Sequence, residues 1–289
     1  MKVVVLSGKG GTGKSCVVSS LAVELSKRRK VVLVDGDADC PNQHIIFPGR
    51  DIREKKLYAS KIAVVNYRKC NLCRRCLEAC SFGALKAESG IKVDELRCEG
   101  CGACVLACPE NAVKLVPKLT GRMFVRETEK FPLVYGKLIP GESGSGKIVH
   151  ELRRQGDEIA EKRGAELVLV DAPAGIGCPV IAAVAGCEYA VGVLEPTPAG
   201  IANLERALQV VRHFGMEYCV VMNKEGISER NERKAFRKFG GKLVARIPYD
   251  EEVPRLLADG VPPVVGEGKA AESLRELGEK LDCLLFKRR

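Results

Sequence analysis

The stretch Gly8-Lys9-Gly10-Gly11-Thr12-Gly13-Lys14-Ser15 constrains this chain more than any other feature. It follows a β-rich apolar run, Lys2–Leu6, and precedes a helical pattern over Val17–Lys27. The pattern is G-x-x-x-x-G-K-[ST], and each residue type in it has a use. Glycines let the backbone curl until several N–H groups face one point, which makes a cradle for an anion. A helix that starts there adds its positive end. Lys14 supplies a countercharge for β- and γ-phosphates, and the Ser15 hydroxyl supplies a ligand for Mg²⁺. A second apolar run, Val31–Val34, ends at Asp35. Strand, glycine-rich turn, helix and strand make a parallel pair joined by a crossover.

The same texture resumes late in the chain. Leu167–Val170, Ala190–Leu194, Cys219–Met222 and Leu243–Ile247 are short apolar runs, separated by helical stretches at Gly200–His213 and Glu229–Phe239 and closed by Lys269–Leu285. Near-continuous apolar strands alternating with helices predict an α/β fold, a mostly parallel sheet covered by helices on both faces. In between, from about residue 66 to 116, the chain is cysteine-rich and its elements are short. Arg122–Arg126 and Leu133–Ile139 read as strands of a hairpin, Gly141–Lys147 as a loop and Ile148–Lys162 as a polar helix. The expected organisation is residues 1–62 and 118–289 as one discontinuous domain, with 63–117 inserted as a small α+β domain. Closure entropy grows slowly with loop length, so a surface loop tolerates such an insertion.

Fourteen cysteines are many for a chain expected to be cytoplasmic, and eight of them fall within Cys70–Cys108. Cys70-x2-Cys73-x2-Cys76-x3-Cys80 recurs as Cys98-x2-Cys101-x2-Cys104-x3-Cys108. Zinc sites favour two C-x2-C pairs on one metal, whereas triple runs favour clusters. The doubled run resembles the bacterial two-[4Fe–4S] ferredoxins. That resemblance implies one cluster on Cys70, Cys73, Cys76 and Cys108, and another on Cys98, Cys101, Cys104 and Cys80, the fourth thiolate of each run reaching the other cluster. Pro109 follows Cys108 as in that pattern, but Ser81 follows Cys80. Of the scattered cysteines, Cys16, Cys187 and Cys219 read as small core residues. Cys178, in Gly175-Ile176-Gly177-Cys178-Pro179, is a candidate ligand for a transferred cluster, although only Cys283 stands where cluster carriers have a C-terminal C-x2-C.

The second lysine in the loop, Lys9, makes KGGTGKS resemble the deviant Walker A motif of the MinD/Mrp/ParA ATPases, a group related to the nitrogenase iron protein. The resemblance implies a P-loop NTPase fold and ATP hydrolysis with Mg²⁺. It also implies a dimer, either a homodimer or a heterodimer with a related ATPase, in which Lys9 reaches the partner's nucleotide. Asp35-Gly36-Asp37-Ala38-Asp39 resembles the group's switch I, with Asp37 orienting the attacking water. Asp171-Ala172-Pro173-Ala174-Gly175-Ile176-Gly177 resembles its Walker B and switch II, with Asp171 holding Mg²⁺ through water. The catalytic candidates are Lys9, Lys14, Asp37 and Asp171. The nucleotide-binding candidates are Gly8, Lys9, Gly10, Gly11, Thr12, Gly13, Lys14, Ser15 and Cys16, with Asn223 and Pro248 at the base. In Asn223-Lys224-Glu225-Gly226, glycine stands where a guanine-reading carboxylate belongs, which favours ATP over GTP. Gly141-Glu142-Ser143-Gly144-Ser145-Gly146-Lys147 also fits the phosphate-loop spacing, but Ile148 replaces the hydroxyl and Glu142 is negative, so it reads as a rim or dimer-surface loop.

The net charge of +10 lies in short, separated clusters at Lys27–Lys30, Lys55–Lys56 and Lys287–Arg289. Aromatics make up 5% and tryptophan is absent, so stacking platforms for bases are scarce and no nucleic-acid partner is expected. No apolar run reaches the roughly 20 residues that span a bilayer. A cytoplasmic location without stable membrane anchoring is the expectation. Three functions stay open: ATP-gated electron delivery, an assembly or maturation ATPase for iron–sulfur or metal cofactors, and positioning as in MinD. The first two call for an unidentified redox or cofactor-assembly partner.

Overall fold

The computed structural model describes residues 1–142 and 146–286. They form two compact units, one of residues 1–54, 123–137 and 146–286, the other of residues 55–122 and 138–142. In chain order the elements are β1 (Lys2–Leu6), α1 (Lys14–Ser26), β2 (Val31–Asp35), α2 (Gln43–Ile46), β3 (Gly49–Leu57), β4 (Ser60–Val65), α3 (Arg75–Glu78), β5 (Leu85–Ala87), β6 (Ile91–Val93), α4 (Ala103–Leu106), β7 (Val113–Lys118), β8 (Gly121–Thr128) and β9 (Pro132–Leu138). They continue as α5 (Gly146–Arg163), β10 (Leu167–Asp171), α6 (Cys178–Val184), β11 (Tyr189–Leu194), α7 (Pro198–His213), β12 (Glu217–Glu225), α8 (Glu229–Phe239), β13 (Leu243–Pro248), α9 (Glu252–Ala258) and α10 (Lys269–Phe286).

The first unit is built on a nine-stranded sheet in the order β13-β12-β11-β1-β10-β2-β9-β8-β3. Every pair from β13 to β9 is parallel. All residues of β2 and β10 are buried, as strands covered on both faces must be. Alternate side chains serve the two faces. Val3, Val5 and Leu33 join Val17, Leu21, Leu274, Leu277 and Leu281 in one core cluster beneath α1 and α10. On the other face α5 packs on β2 and β10, and α7 on β11. The approach is closest at Gly156, where a Cβ would lie 2.4 Å from Val34 Cγ2. The helix read from sequence as polar is therefore amphipathic: Ile148, Val149, Leu152 and Ile159 are buried while its charges face outward. The terminal helix α10 is likewise packed into the core through Leu274, Leu277, Leu281 and Leu285. β8 and β9 extend the main sheet, and β3, which the pattern did not suggest, forms its outer edge with Gly49–Lys55 almost entirely exposed. Charged residues on such an edge oppose pairing with another chain.

The second unit holds two small antiparallel pairs, β4 with β7 and β5 with β6, and the one-turn helices α3 and α4. Its buried core is Ala63, Cys76, Leu85, Ile91, Cys104 and Val113, with Cys70, Cys80, Cys98 and Cys108 partly buried against it. The 28-residue step of the cysteine repeat recurs in the backbone. Left-handed residues fall at Leu72 and Gly100, Arg74 and Gly102, and Gly83 and Asn111. The Asn66 amide donates to Ala112 O over 2.7 Å, and the Asp94 amide to Ala84 O over the same distance. Two equivalent half-units thus cross-brace one another.

Candidate functional site

Residues 7–13 bridge β1 and α1. Gly11 and Gly13 are left-handed, and Gly13 caps α1 without any side-chain hydrogen bond to the free N–H groups of the first turn. Nothing lies within 4 Å of a Cβ at Gly10 or Gly11, so this side of the loop is open. Its back is closed, since a Cβ at Gly8 would sit 2.0 Å from the Asn203 carbonyl carbon. The Thr12 hydroxyl is buried with no partner. Open glycines, an uncapped helix start and an orphaned hydroxyl fit a phosphate ligand.

The acidic side of the site follows from strand register. β2 and β10 are adjacent and parallel, and Asp35 stands opposite Asp171 at their C-terminal ends. Both carboxylates are buried. Burial, then the neighbouring Asp171, pushes the Asp35 carboxyl up to about 7. Asp35 accepts the backbone N–H groups of Asp37 (3.1 Å), Asn42 (3.0 Å) and Gln43 (3.1 Å), and so shapes the switch turn. Lys14 makes a buried ion pair with Asp171. Ser15 Oγ lies 3.4 Å from the other Asp171 oxygen. Asp37 is partly buried, is held above the usual carboxylate range by that burial, and accepts the Cys40 amide at 3.2 Å. Asn42 and Gln43 carried no signal in the sequence, yet Asn42 Nδ2 donates to Ser15 Oγ (2.9 Å) and Gln43 Nε2 to Asp171 (2.7 Å). The side-chain carbonyl oxygens of both are buried without a donor. Mg²⁺ keeps several waters when bound, and these orphaned acceptors suit water of that kind.

The remaining candidates lie around this centre. Lys9 pairs with Glu195 of its own chain, which also accepts Lys224 Nζ at 2.8 Å. Burial opposes ionisation of Glu195, but Lys224 and Lys9 together hold its carboxyl below the usual range. Lys224 also donates to Gly11 O at 2.7 Å. Asn223 is buried at the end of β12 and spends an amide N–H on Thr12 O at 2.9 Å, buttressing the loop. Pro248 ends β13, half-buried. The Cys16 side chain points into the core, where burial pushes its thiol up to about 12, so only its backbone N–H faces the loop. Of the second glycine-rich loop, residues 143–145 lie outside the described residues. Glu142 pairs with Lys118, and Ile148 is buried in the core. Cys178 is exposed at the start of α6.

In the second unit the eight clustered cysteines divide between two small cavities. One is lined by Cys80, Cys98, Cys101 and Cys104, the other by Cys70, Cys73, Cys76 and Cys108. Burial raises the Cys76 thiol, as do neighbouring Cys108 and Cys70. Burial likewise raises Cys104, with Cys98, Cys101 and Cys80 adding to it. The Ala84 amide points at Cys80 Sγ (3.4 Å) and the Ala112 amide at Cys108 Sγ (3.3 Å). Among the described residues no three His, Cys, Asp or Glu side chains converge as a single metal ion requires. A cuboidal cluster spaces its thiolates more widely than one ion does, so two four-thiol cavities with N–H···S bonds fit clusters better than zinc.

Known proteins resemble this chain along most of its length. An uncharacterised protein of Methanocaldococcus jannaschii is 36% identical over 288 residues, which are 97% of this chain and 96% of that one. An iron–sulfur cluster carrier protein of Pyrococcus abyssi is 22% identical, over 97% of this chain and 85% of that one. The septum site-determining protein MinD of Pyrococcus horikoshii, solved with Mg-ADP, has a TM-score of 0.61 at 20% identity and covers 100% of this chain and 98% of that one, a likeness of fold. Residues 3–264 match the CobQ/CobB/MinD/ParA nucleotide binding domain, and the chain belongs to that family.

Proposed function

We propose that this protein is an ATPase that carries two [4Fe–4S] clusters and couples an ATP-driven dimer cycle to electron transfer. The observation that carries the reading is the sorting of eight cysteines into two four-thiol cavities, in a chain that also holds a complete phosphate loop. In the first unit, the loop from Gly8 to Cys16 would hold the phosphates through its backbone, with Lys14 as countercharge. Ser15 and Asp171 would hold Mg²⁺, directly and through water, and Asp37 would orient the attacking water. Asn223 and Pro248 would border the base. Lys9 would leave Glu195 to reach the nucleotide of a second subunit. In the second unit, Cys70, Cys73, Cys76 and Cys108 would hold one cluster and Cys80, Cys98, Cys101 and Cys104 the other. Such clusters supply one-electron storage and transfer. The cluster-binding insert is then somewhat wider than residues 63–117, because β4 already belongs with β7.

A second reading, an assembly or maturation ATPase for iron–sulfur cofactors, is favoured by the exposed Cys178 beside the switch II turn and by the likeness to the iron–sulfur cluster carrier protein of Pyrococcus abyssi. One experiment separates the two. Anaerobically purified protein is assayed for iron and sulfide, and its clusters are titrated by EPR without nucleotide, with Mg-ADP, and with Mg-ATP on Asp37→Ala. About eight iron and eight sulfide per chain are expected, with at least one potential shifted by tens of millivolts in the ATP state, ~59 mV being a tenfold change in a one-electron equilibrium. Superimposable titrations would favour the assembly reading. Tightly bound zinc without iron would sink both.

A further inference from the structure

The two halves of the second unit share a backbone but not a surface. Flanking the exposed Cys73 in the sequence are Arg68, Lys69, Arg74 and Arg75, all exposed and none with a counter-ion among the described residues. At the positions 28 residues later the chain has Leu96, Arg97, Gly102 and Ala103. There Arg97 pairs with Asp94, and Glu99 adds a negative charge beside Cys101. The acids near the first face are Glu78 and Glu110, the latter already bonded by Asn71 Nδ2 at 3.1 Å. Two of the residues on this face occupy strained backbone. Leu72 and Arg74 are left-handed, at φ 59° and 61°, where the second half uses Gly100 and Gly102. Side chains are kept there against a conformational penalty that glycine would remove. Arg74 also lines the cavity of Cys70, Cys73, Cys76 and Cys108, and Leu72 is 52% exposed. Four unpaired cations thus flank the first cysteine run, one of them, Arg74, lining its cavity, whereas the equivalent positions of the second run carry a single, paired cation.

Resting on the cluster reading, we infer that the face formed by Arg68, Lys69, Leu72, Arg74 and Arg75 is the docking surface for an acidic electron-transfer protein, and that electrons pass between this partner and the cavity of Cys70, Cys73, Cys76 and Cys108. The step is an outer-sphere exchange of one electron: the partner's reduced centre is oxidised as this chain's centre is reduced, with no bond made or broken. Charge steers such encounters and raises their rate, an effect that salt removes. A protein partner fits better than nucleic acid because the basic residues are few and close together in the sequence, and one of them, Arg74, lines the four-cysteine cavity itself.

The test is anaerobic stopped-flow reduction of the full chain by an acidic bacterial-type ferredoxin, pre-reduced, at about 50 and about 500 mM salt. The wild type is compared with the triple variant Arg68→Glu, Arg74→Glu, Arg75→Glu, and with Lys86→Glu on the same unit as control. A rate at least about tenfold lower is expected for the triple variant at low salt, with the wild type slowing toward it at high salt and the control unchanged. Equal iron and sulfide contents, and equal reduction by dithionite, establish that the variant still holds its clusters. Equal ferredoxin rates in wild type and triple variant would overturn the inference while leaving the cluster reading intact. So would tight binding of a single-stranded RNA that the triple variant loses while its ferredoxin rate stays unchanged. Iron-free protein would remove both.

Discussion

If the proposed clusters are bound, stripping their iron should unfold the second unit and leave the first standing. The buried cluster between the small antiparallel pairs contains three large aliphatic side chains, Leu85, Ile91 and Val113, with Ala63 and two cysteines, and Val65, Leu77, Val93, Val105 and Leu115 pack against it only partly buried. Burying each large one is worth about 2 kcal/mol. Ordering backbone costs about 1–2 kcal/mol per residue, so a cluster this small is too little for a unit of roughly 70 residues, and on the two-cluster reading the missing stability falls to the metal–thiolate bonds. The first unit owes nothing to them, because its core runs through β1, β2, β10, α1 and α10. The assay is hydrogen exchange read by mass spectrometry on anaerobic holoprotein and on protein treated with oxidant and chelator. The Asn66 and Asp94 amides, which brace the two halves at 2.7 Å, should be protected in the holoprotein. In the stripped protein they should lose at least about 100-fold, equivalent to about 3 kcal/mol of local stability. Peptides from β2 and β10 should be unchanged. Full protection of Asn66 and Asp94 without iron would refute the reasoning, since the small core would then suffice alone.

Four further outcomes follow from the first unit. Lys14→Ala should abolish ATP binding in calorimetry, because it deletes the phosphate countercharge and leaves Asp171 and Asp35 facing each other. Without nucleotide, stability should fall as pH rises from about 4 to about 7, measured by urea titration at several pH values. The sign follows from the Asp35 carboxyl, raised from 3.8 to about 7: the folded state holds a proton that the unfolded state has released, so raising the pH favours unfolding. Gly8→Ala should cost about 1–3 kcal/mol in thermal unfolding, since its Cβ collides with the backbone at Asn203 and no side-chain rotation relieves it. Lys9→Ala should bind ATP as the wild type does yet lose hydrolysis that depends on protein concentration, and wild-type turnover would remove Lys9 from the mechanism.

What the sequence disclosed depended on how local each feature is. The phosphate loop and the cysteine runs are contiguous, and their spacing alone carries their chemistry. β3 stayed hidden because Gly49-Arg50-Asp51-Ile52-Arg53-Glu54-Lys55 is an edge strand open to solvent, and a strand with no buried face shows no alternation. α5 read as polar because its apolar stripe, Ile148, Val149, Leu152 and Ile159, is thin beside its charged face. Gln43 was invisible for another reason: it meets Asp171, 128 residues away, and nothing in its neighbours reports that meeting.

The same limit bears most on Lys9. Its place in KGGTGKS resembles that of a lysine that reaches a second subunit, yet its Nζ is held by Glu195, 186 residues along the chain. Glu195 would not be stranded by the departure of Lys9, because Lys224 already shares the carboxylate and is anchored to Gly11 O. Breaking a part-buried pair is costly when it leaves a charge alone. Here a second cation remains, so the penalty for releasing Lys9 is reduced, and the loop keeps its tie to β12 throughout. On the proposed dimer cycle Lys9 would change partners between the monomer and a nucleotide-bound dimer, and two lysines on one glutamate would ease that exchange.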